Sequence, residues 1–108
     1  NGKNRRRTYH FSLIDTDKGE RYEVQFRENI GIGRTGNIRG MERFLTIQND
    51  MRISGYHCRI YALNSQIYIE DAGSKNHTYV NQECVIRPHV LRNNDVIRIG
   101  DTRLTVKF

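Results

Sequence analysis

The sequence predicts an all-β domain, a sandwich or a barrel of about ten short strands. Apolar and polar residues alternate in several short segments, which is the pattern of strands buried on one face. No window of helical length carries apolar residues at positions i, i+3, i+4 and i+7. Turn-forming residues fall between the alternating segments, as expected where one strand follows another closely.

The alternation is clearest near the two ends of the chain, in residues 9–13, 22–26 and 104–108. Shorter predicted strands lie at residues 30–32, 44–47, 58–63, 66–70, 78–80, 83–86 and 96–99. Turn residues separate them at positions 17–19, 64–65, 81–82, 93–95 and 100–101. Residues 35–43 break the pattern, because they are polar, include Gly36 and Gly40, and are long for a hairpin connection. We expect a surface loop there.

The chain has 108 residues, which leaves room for one domain. Hydrophobic residues make up 36% and charged residues 28%, so the chain is polar, yet its patterned apolar segments exclude disorder. We expect residues 8–108 to form the domain and residues 1–7, with the run Arg5-Arg6-Arg7, to be a solvated linker. The first residues include no methionine and no apolar run, so we expect neither a signal peptide nor a native start there, but a domain from a longer protein.

The formal net charge of +6 predicts attraction to anionic partners, and nucleic acid, a phosphoprotein or an acidic membrane surface would all fit. The longest apolar run, residues 60–63, is far short of the roughly 20 residues that span a bilayer, so we expect no membrane insertion by this segment. Cys58 and Cys84 are too few for a disulfide scaffold, and no cysteine or histidine spacing predicts a metal site. We expect no cofactor, and a reduced, cytoplasmic setting, which could be the cytoplasmic part of a membrane-anchored protein.

Several polar residues fall at the ends of predicted strands, where β scaffolds commonly hold binding sites. Gly33-Arg34 follows the strand at residues 30–32, and residues 54–57 precede the next long strand. Residues 71–78 link two further strands, and Asn81 follows closely.

The order and spacing of these motifs resemble the forkhead-associated (FHA) domain, an eleven-stranded antiparallel β-sandwich that recognises phosphothreonine peptides. The resemblance covers residues 9–108. The matching residues are Gly33-Arg34, Ser54 with His57, Ser74-Lys75-Asn76 with Thr78, Val80-Asn81, and residues 95–100. Each motif alone is weak, but together and in order they are specific.

The resemblance implies that Arg34 and Ser54 hold the phosphate. A phosphothreonine carries about −1.5 to −2 charge and three acceptor oxygens, so a guanidinium and a hydroxyl are suitable donors. Hydrogen bonds to charged groups contribute roughly 1.5 to 3 kcal/mol each. Two or three of them would make binding depend on the phosphate.

The resemblance also implies a peptide-binding set and a supporting set around that phosphate site. Asn76 takes the position that bonds the peptide main chain. The residues implied to flank the peptide are Lys75, Thr35, Gly55 and His77. The residues implied to support the site are Gly33, His57, Thr78 and Asn81, among which His57 braces the binding loops.

Two positions depart from the family pattern. His77 stands where the family usually has glycine, and histidine is among the less penalised residues if that position needs a positive φ. Gly55 stands where many members carry arginine or lysine beside the phosphate-binding serine. One charge contact to the phosphate is therefore absent, which predicts a lower affinity.

Other classes of function remain open at this point. A hydrolase would pair Ser54, His57 and Asp71, although Ser54 lies on no recognisable nucleophile elbow. A nucleic-acid-binding domain would use the positive charge with stacking tyrosines, for which the candidates are Tyr56, Tyr61, Tyr68 and Tyr79. The same loops could also serve phosphate-independent interaction or oligomerisation. The favoured interpretation is a non-enzymatic module that binds a phosphothreonine-containing protein, with no nucleic acid as partner. An upstream Ser/Thr protein kinase would phosphorylate that protein.

Overall fold

The computed structural model describes residues 7–36 and 38–108, so Arg5 and Arg6 of the predicted linker lie outside it, as does Asn37 of the predicted loop. The described residues form eleven strands and no helix, and therefore include no helix that could cross a membrane. In chain order the strands are β1 (Tyr9–Asp15), β2 (Glu20–Phe26), β3 (Asn29–Gly33), β4 (Arg43–Thr46), β5 (Cys58–Leu63), β6 (Gln66–Asp71), β7 (Thr78–Val80), β8 (Glu83–Cys84), β9 (His89–Val90), β10 (Val96–Ile99) and β11 (Thr102–Lys107).

The strands form two sheets that pack into a sandwich. The six-stranded sheet has the order β2-β1-β11-β10-β7-β8, and the five-stranded sheet has the order β4-β3-β5-β6-β9. The predicted all-β sandwich of eleven strands is confirmed. One described pair departs from the antiparallel pattern: β3 and β4 run parallel, with Ile30 opposite Arg43. The long polar loop of residues 34–42 allows this, because parallel neighbours need a connection that returns along the strand.

The core lies between the sheets and is filled by the inward-facing residues of the alternating segments. Fully or almost fully buried members from both sheets include Leu13, Val24, Ile32, Ile60, Ile69, Ile97, Ile99 and Leu104. Each such side chain contributes roughly 1.5 to 3 kcal/mol on leaving water. This burial fixes the register of the strands, since a slip of one residue would place every inward side chain in solvent.

The differences between predicted and observed strands are local. The two-residue strand β9 was not predicted, because so short a strand shows no alternation. Phe108 lies beyond the end of β11 and is 55% exposed. Two hairpin turns place consecutive residues at positive φ, Asn64-Ser65 and Asn81-Gln82, which is the backbone of the tight turns that fit twisted antiparallel strands.

Three loops meet at one end of the sandwich. They are the β3–β4 loop, the β4–β5 loop and the β6–β7 loop, and backbone hydrogen bonds join the first two directly. The residues that the resemblance implies for binding the ligand or supporting the site, other than Asn81, lie on or beside these loops.

Candidate functional site

The end of β3 and the β4–β5 loop are joined along their backbones. The Arg34 N–H donates to the Ser54 carbonyl at 3.0 Å, and the Thr35 N–H donates to the Gly55 carbonyl at 3.2 Å. The Thr35 hydroxyl donates to the same Gly55 carbonyl at 3.0 Å. A Cβ on Gly33 would lie 2.0 Å from the Gly55 oxygen. The close approach of the two loops therefore requires glycine at position 33.

The Arg34 side chain is exposed but held at its stem. Its Nε–H donates to the Ile53 carbonyl at 2.5 Å. This bond uses Nε only, so the two terminal amino groups of the guanidinium are left for a ligand. An anion that binds there does not have to order a freely rotating side chain first.

Ser54 is positioned through both its backbone and its hydroxyl. Its N–H donates to His57 Nδ1 at 3.0 Å, and its Oγ accepts the Lys75 N–H at 3.0 Å. Because Oγ acts as an acceptor in this contact, the hydroxyl hydrogen can donate to an incoming anion. The contact also places Lys75, whose side chain is exposed, beside Ser54.

His57 is completely buried and joins the two loops that carry Ser54 and Asn76. Nδ1 accepts the Ser54 N–H, so the ring proton lies on Nε2, which donates to the His77 carbonyl at 2.8 Å. The backbone N–H of His57 donates to the Ile32 carbonyl at 2.8 Å. The imidazole is thus a neutral cross-link between loops, and it has no free nitrogen for a ligand.

Asn76 adds a second link between the same loops. Its Nδ2 donates to the Arg52 carbonyl at 2.9 Å. This leaves one amide hydrogen and the Oδ1 oxygen of Asn76 for other partners. The amide group can therefore pair with a main-chain group of a ligand while it stays anchored.

Asp71 organises the β6–β7 loop from its start. One oxygen accepts the hydroxyls of Ser74 and Thr78, both at 2.6 Å, and the other accepts the N–H groups of Gly73 and Ser74, both at 3.0 Å. Burial raises the pKa of Asp71, but these hydrogen bonds outweigh it and hold the pKa below its ordinary value of 3.8. The carboxylate is thus ionised at neutral pH.

His77 occupies the loop position at a φ of +67°, a conformation that usually favours glycine. Its carbonyl is held by His57, and its side chain is exposed. At Gly55, an added Cβ would lie 3.1 Å from the Thr35 hydroxyl oxygen, so a larger residue there would press on Thr35.

Comparison with protein families assigns the chain. Residues 30–100 match the family model of the FHA domain. The chain belongs to the FHA family. No curated protein matched this FHA domain.

Solved structures of other FHA domains are similar over almost the whole chain. One, from a study of phosphothreonine-dependent FHA interactions, is 26% identical with a TM-score of 0.72 and covers 93% of this chain and 97% of its own. The FHA domain of an Arabidopsis thaliana hypothetical protein is 28% identical with a TM-score of 0.74 and covers 92% and 85%. The FhaA FHA domain, complexed with the intracellular domain of a second protein, is 25% identical with a TM-score of 0.71 and covers 92% and 100%.

The residues considered for a hydrolase do not form a catalytic triad in this FHA domain. Ser54 contacts His57 only through its backbone N–H, and both ring nitrogens of His57 are occupied by backbone groups. Asp71 bonds the β6–β7 loop instead of the histidine. The described residues also contain no group of histidine, cysteine, aspartate or glutamate that could hold a metal ion.

The tyrosines considered for nucleic-acid stacking are spread over different faces. Tyr61 and Tyr68 stack on each other at 5.5 Å on the five-stranded sheet, whereas Tyr79 lies on the six-stranded sheet under Arg98. Tyr56 packs against Phe44 at 6.2 Å. They do not form one continuous platform.

Asn81 lies away from the loop cluster. Its side chain bonds Asp95 and the Val96 N–H, both at 2.9 Å, and so ties the β7–β8 turn to β10.

Sequence reasoning also missed Asp50, a buried carboxylate that accepts the Arg52 N–H at 3.0 Å, the Asp101 N–H at 2.9 Å and the Thr102 hydroxyl at 2.6 Å. The sequence signal that could have found it is the pair Asn49-Asp50, because both residue types favour turns in which the side chain bonds the backbone two residues on.

Proposed function

We propose that this FHA domain binds phosphothreonine-containing segments of a partner protein, with Arg34 and Ser54 as phosphate ligands. The observation that carries the proposal is the preset pair of donors, since Arg34 is held by the Ile53 carbonyl and Ser54 by His57 and Lys75. Both donors keep hydrogens for a ligand. Charge-assisted hydrogen bonds of this kind are strong, and here little conformational freedom is lost in forming them.

Asn76 is proposed to bond the main chain of the peptide beside the phosphothreonine. Its anchored amide retains one donor and one acceptor, which suits a peptide group. Lys75, Thr35, Gly55 and His77 are proposed to flank the peptide, and Gly33, His57 and Thr78 to support the site. A preference for threonine over serine would come from burial of one methyl group, which contributes about 0.8 kcal/mol.

The similar structures support this proposal. The 26% identical FHA domain comes from work on phosphothreonine-dependent interactions, and the FhaA FHA domain was solved with a protein partner. We propose that the domain is an interaction module without catalysis. It would act in the cytoplasm after an upstream Ser/Thr protein kinase has phosphorylated the partner.

Calorimetric titration with degenerate peptide pools tests the proposal. We expect heat of binding from a phosphothreonine pool, less from a phosphoserine pool, and none from an unphosphorylated pool at the same salt concentration. Arg34→Ala and Ser54→Ala should each remove most of the binding, with the fold checked by circular dichroism. Arg39→Ala is the matched control, because Arg39 is another exposed arginine of the same β3–β4 loop. Undiminished affinity in folded Arg34→Ala would overturn the assignment of the site.

A further inference from the structure

Two arginines lie directly opposite each other on the outer face of the six-stranded sheet. The register pairs Arg98 of β10 with Arg103 of β11, and their neighbours Ile97, Ile99 and Leu104 point into the core. Like charges directly opposite each other in an antiparallel pair destabilise it. A feature that breaks a local rule in this way is more common at functional positions.

The two guanidinium groups are each held by a different partner. Arg98 lies over the ring of Tyr79, with its central carbon 4.2 Å from the ring centre, and its Nη1 donates to the Gly100 carbonyl at 3.1 Å. Arg103 pairs with Asp17 at 3.1 Å, but both side chains are about half exposed, at 57% and 48%. An exposed pair of this kind contributes about 0 to 1 kcal/mol. Arg103 can therefore exchange Asp17 for another carboxylate at little cost.

The arginines border a concave site of about 430 Å³ whose other lining residues are Asn81, Gln82 and Val96. Among these lining residues Val96 is apolar, and the turn residues Asn81 and Gln82 have a positive φ. The site is thus a depression lined by two cations, one apolar side chain and two polar turn residues.

The Arg98 end of this depression is the end nearer to the loops of the proposed phosphate site, whereas Asn81 and Gln82 lie at the opposite end of β7. Arg98 is opposite Tyr79, and the following pair, Ile99 and Thr78, is the last before the β6–β7 loop, with Tyr79 two residues after His77. An extended peptide advances about 3.3 Å per residue. A few residues beyond the phosphothreonine are enough for a bound segment to cross His77 and reach this face.

We infer that Arg98 and Arg103 form a second docking site for acidic side chains of the same partner segment whose phosphothreonine is bound at the loops. The inference rests on the proposed function. Aspartate and glutamate fit because the planar guanidinium fork matches a carboxylate, and two arginines side by side can share one or two such groups. Recognition then has two parts: the phosphate decides whether binding occurs, and the acidic flank selects among phosphorylated segments.

Phosphothreonine peptide pools with charged and neutral tails test this inference. The probes are pools randomised at three positions on each side of the phosphothreonine, with four glutamates or four glutamines added at the N-terminal or the C-terminal side. Fluorescence anisotropy should show one of the two glutamate pools binding about 3- to 10-fold more tightly than its glutamine counterpart. The gain should shrink as salt is raised.

Variants assign the gain to the two arginines. Arg98→Gln and Arg103→Gln should each remove most of it and leave binding of the glutamine pools unchanged. Arg21→Gln, the same charge change on the edge strand of the same sheet, should keep it. Asp17→Asn should increase the gain, since it frees Arg103.

The outcomes separate this inference from the proposed function. Binding of the glutamine pools with no gain from glutamate overturns the second site alone. A gain that survives in both arginine variants, or is lost equally in Arg21→Gln, also overturns it. Absence of binding to every pool by a folded protein overturns the proposed function and the second site together.

Discussion

Two histidines in different regions of the domain make similar hydrogen bonds with different consequences. His57 is completely buried between the β4–β5 and β6–β7 loops and bonds two backbone groups. His10 lies on the outer face of β1, where its Nε2 is 3.1 Å from Glu23 and its side chain is 61% exposed. Water can replace a lost partner at His10 but cannot reach those of His57. Burial, more than the number of bonds, therefore decides how strongly each region holds its shape.

The largest expected effect is at His57. His57→Ala leaves the Ser54 N–H and the His77 carbonyl without partners and opens a cavity, so the free energy of unfolding should fall by roughly 2 to 5 kcal/mol. Urea denaturation measures this. His10→Ala is the matched control and should change stability by no more than about 0.5 kcal/mol. Similar losses in both variants would refute the contrast between buried and exposed histidines.

The approach of the loops is tested at Gly33. A Cβ in Gly33→Ala meets backbone at 2.0 Å, so we expect a loss of roughly 1 to 3 kcal/mol of stability and weaker phosphopeptide binding. In Gly36→Ala, the nearest atom is the Thr46 hydroxyl at 3.0 Å, a side-chain atom, so the effect should be smaller. Thermal unfolding of both variants compares them. Equal stability would mean that the two loops can separate without cost.

Acid should loosen the β6–β7 loop through Asp71. Its pKa is held below 3.8 in the folded protein, so its carboxylate stabilises the fold fully above the unfolded pKa of about 4, and this contribution is lost as pH falls through the folded pKa. The stability difference between the wild type and Asp71→Asn should be constant between about pH 7 and 5 and shrink below about pH 4. Urea titrations at several pH values measure it. A difference that grows on acidification would contradict the assigned direction.

The smallest effect is expected at His77. Its positive φ costs a non-glycine residue roughly 1 to 2 kcal/mol, whereas glycine loses roughly 0.5 to 1 kcal/mol more entropy on folding. His77→Gly should therefore raise stability by less than about 1 kcal/mol. Lys75→Gly, in the same loop at a residue without positive φ, should lower it. A lower melting temperature for His77→Gly would show that the imidazole makes a stabilising contact.

Much of the fold could be predicted because alternation is a local property. The segments at residues 58–63, 78–80 and 96–99 coincide with β5, β7 and β10, and the other predicted segments differ only at their ends. Strand β9 could not be predicted because it is too short to alternate. The parallel pairing of β3 with β4 was also missed, since it depends on the path of the loop between them.

The candidate site was predicted as a set of residues, but its geometry was not. Arg34, Ser54 and Asn76 carry the resemblance, yet the sequence does not reveal that Ile53, Lys75 and Arg52 supply the backbone groups that hold them. Asp50 was missed because its partners Asp101 and Thr102 are about fifty residues away along the chain.

The sequence by itself determined the all-β class, the faces that enter the core and the family, because these follow from local periodicity and from short motifs in order. Only the tertiary structure decided which strands are neighbours, which nitrogen of His57 carries the proton, and that Arg98 faces Arg103 beside Tyr79. These depend on contacts between residues distant in sequence. The alternation of apolar and polar residues predicts which side of a sheet a residue occupies, but only loop closure and packing decide which residues lie next to it.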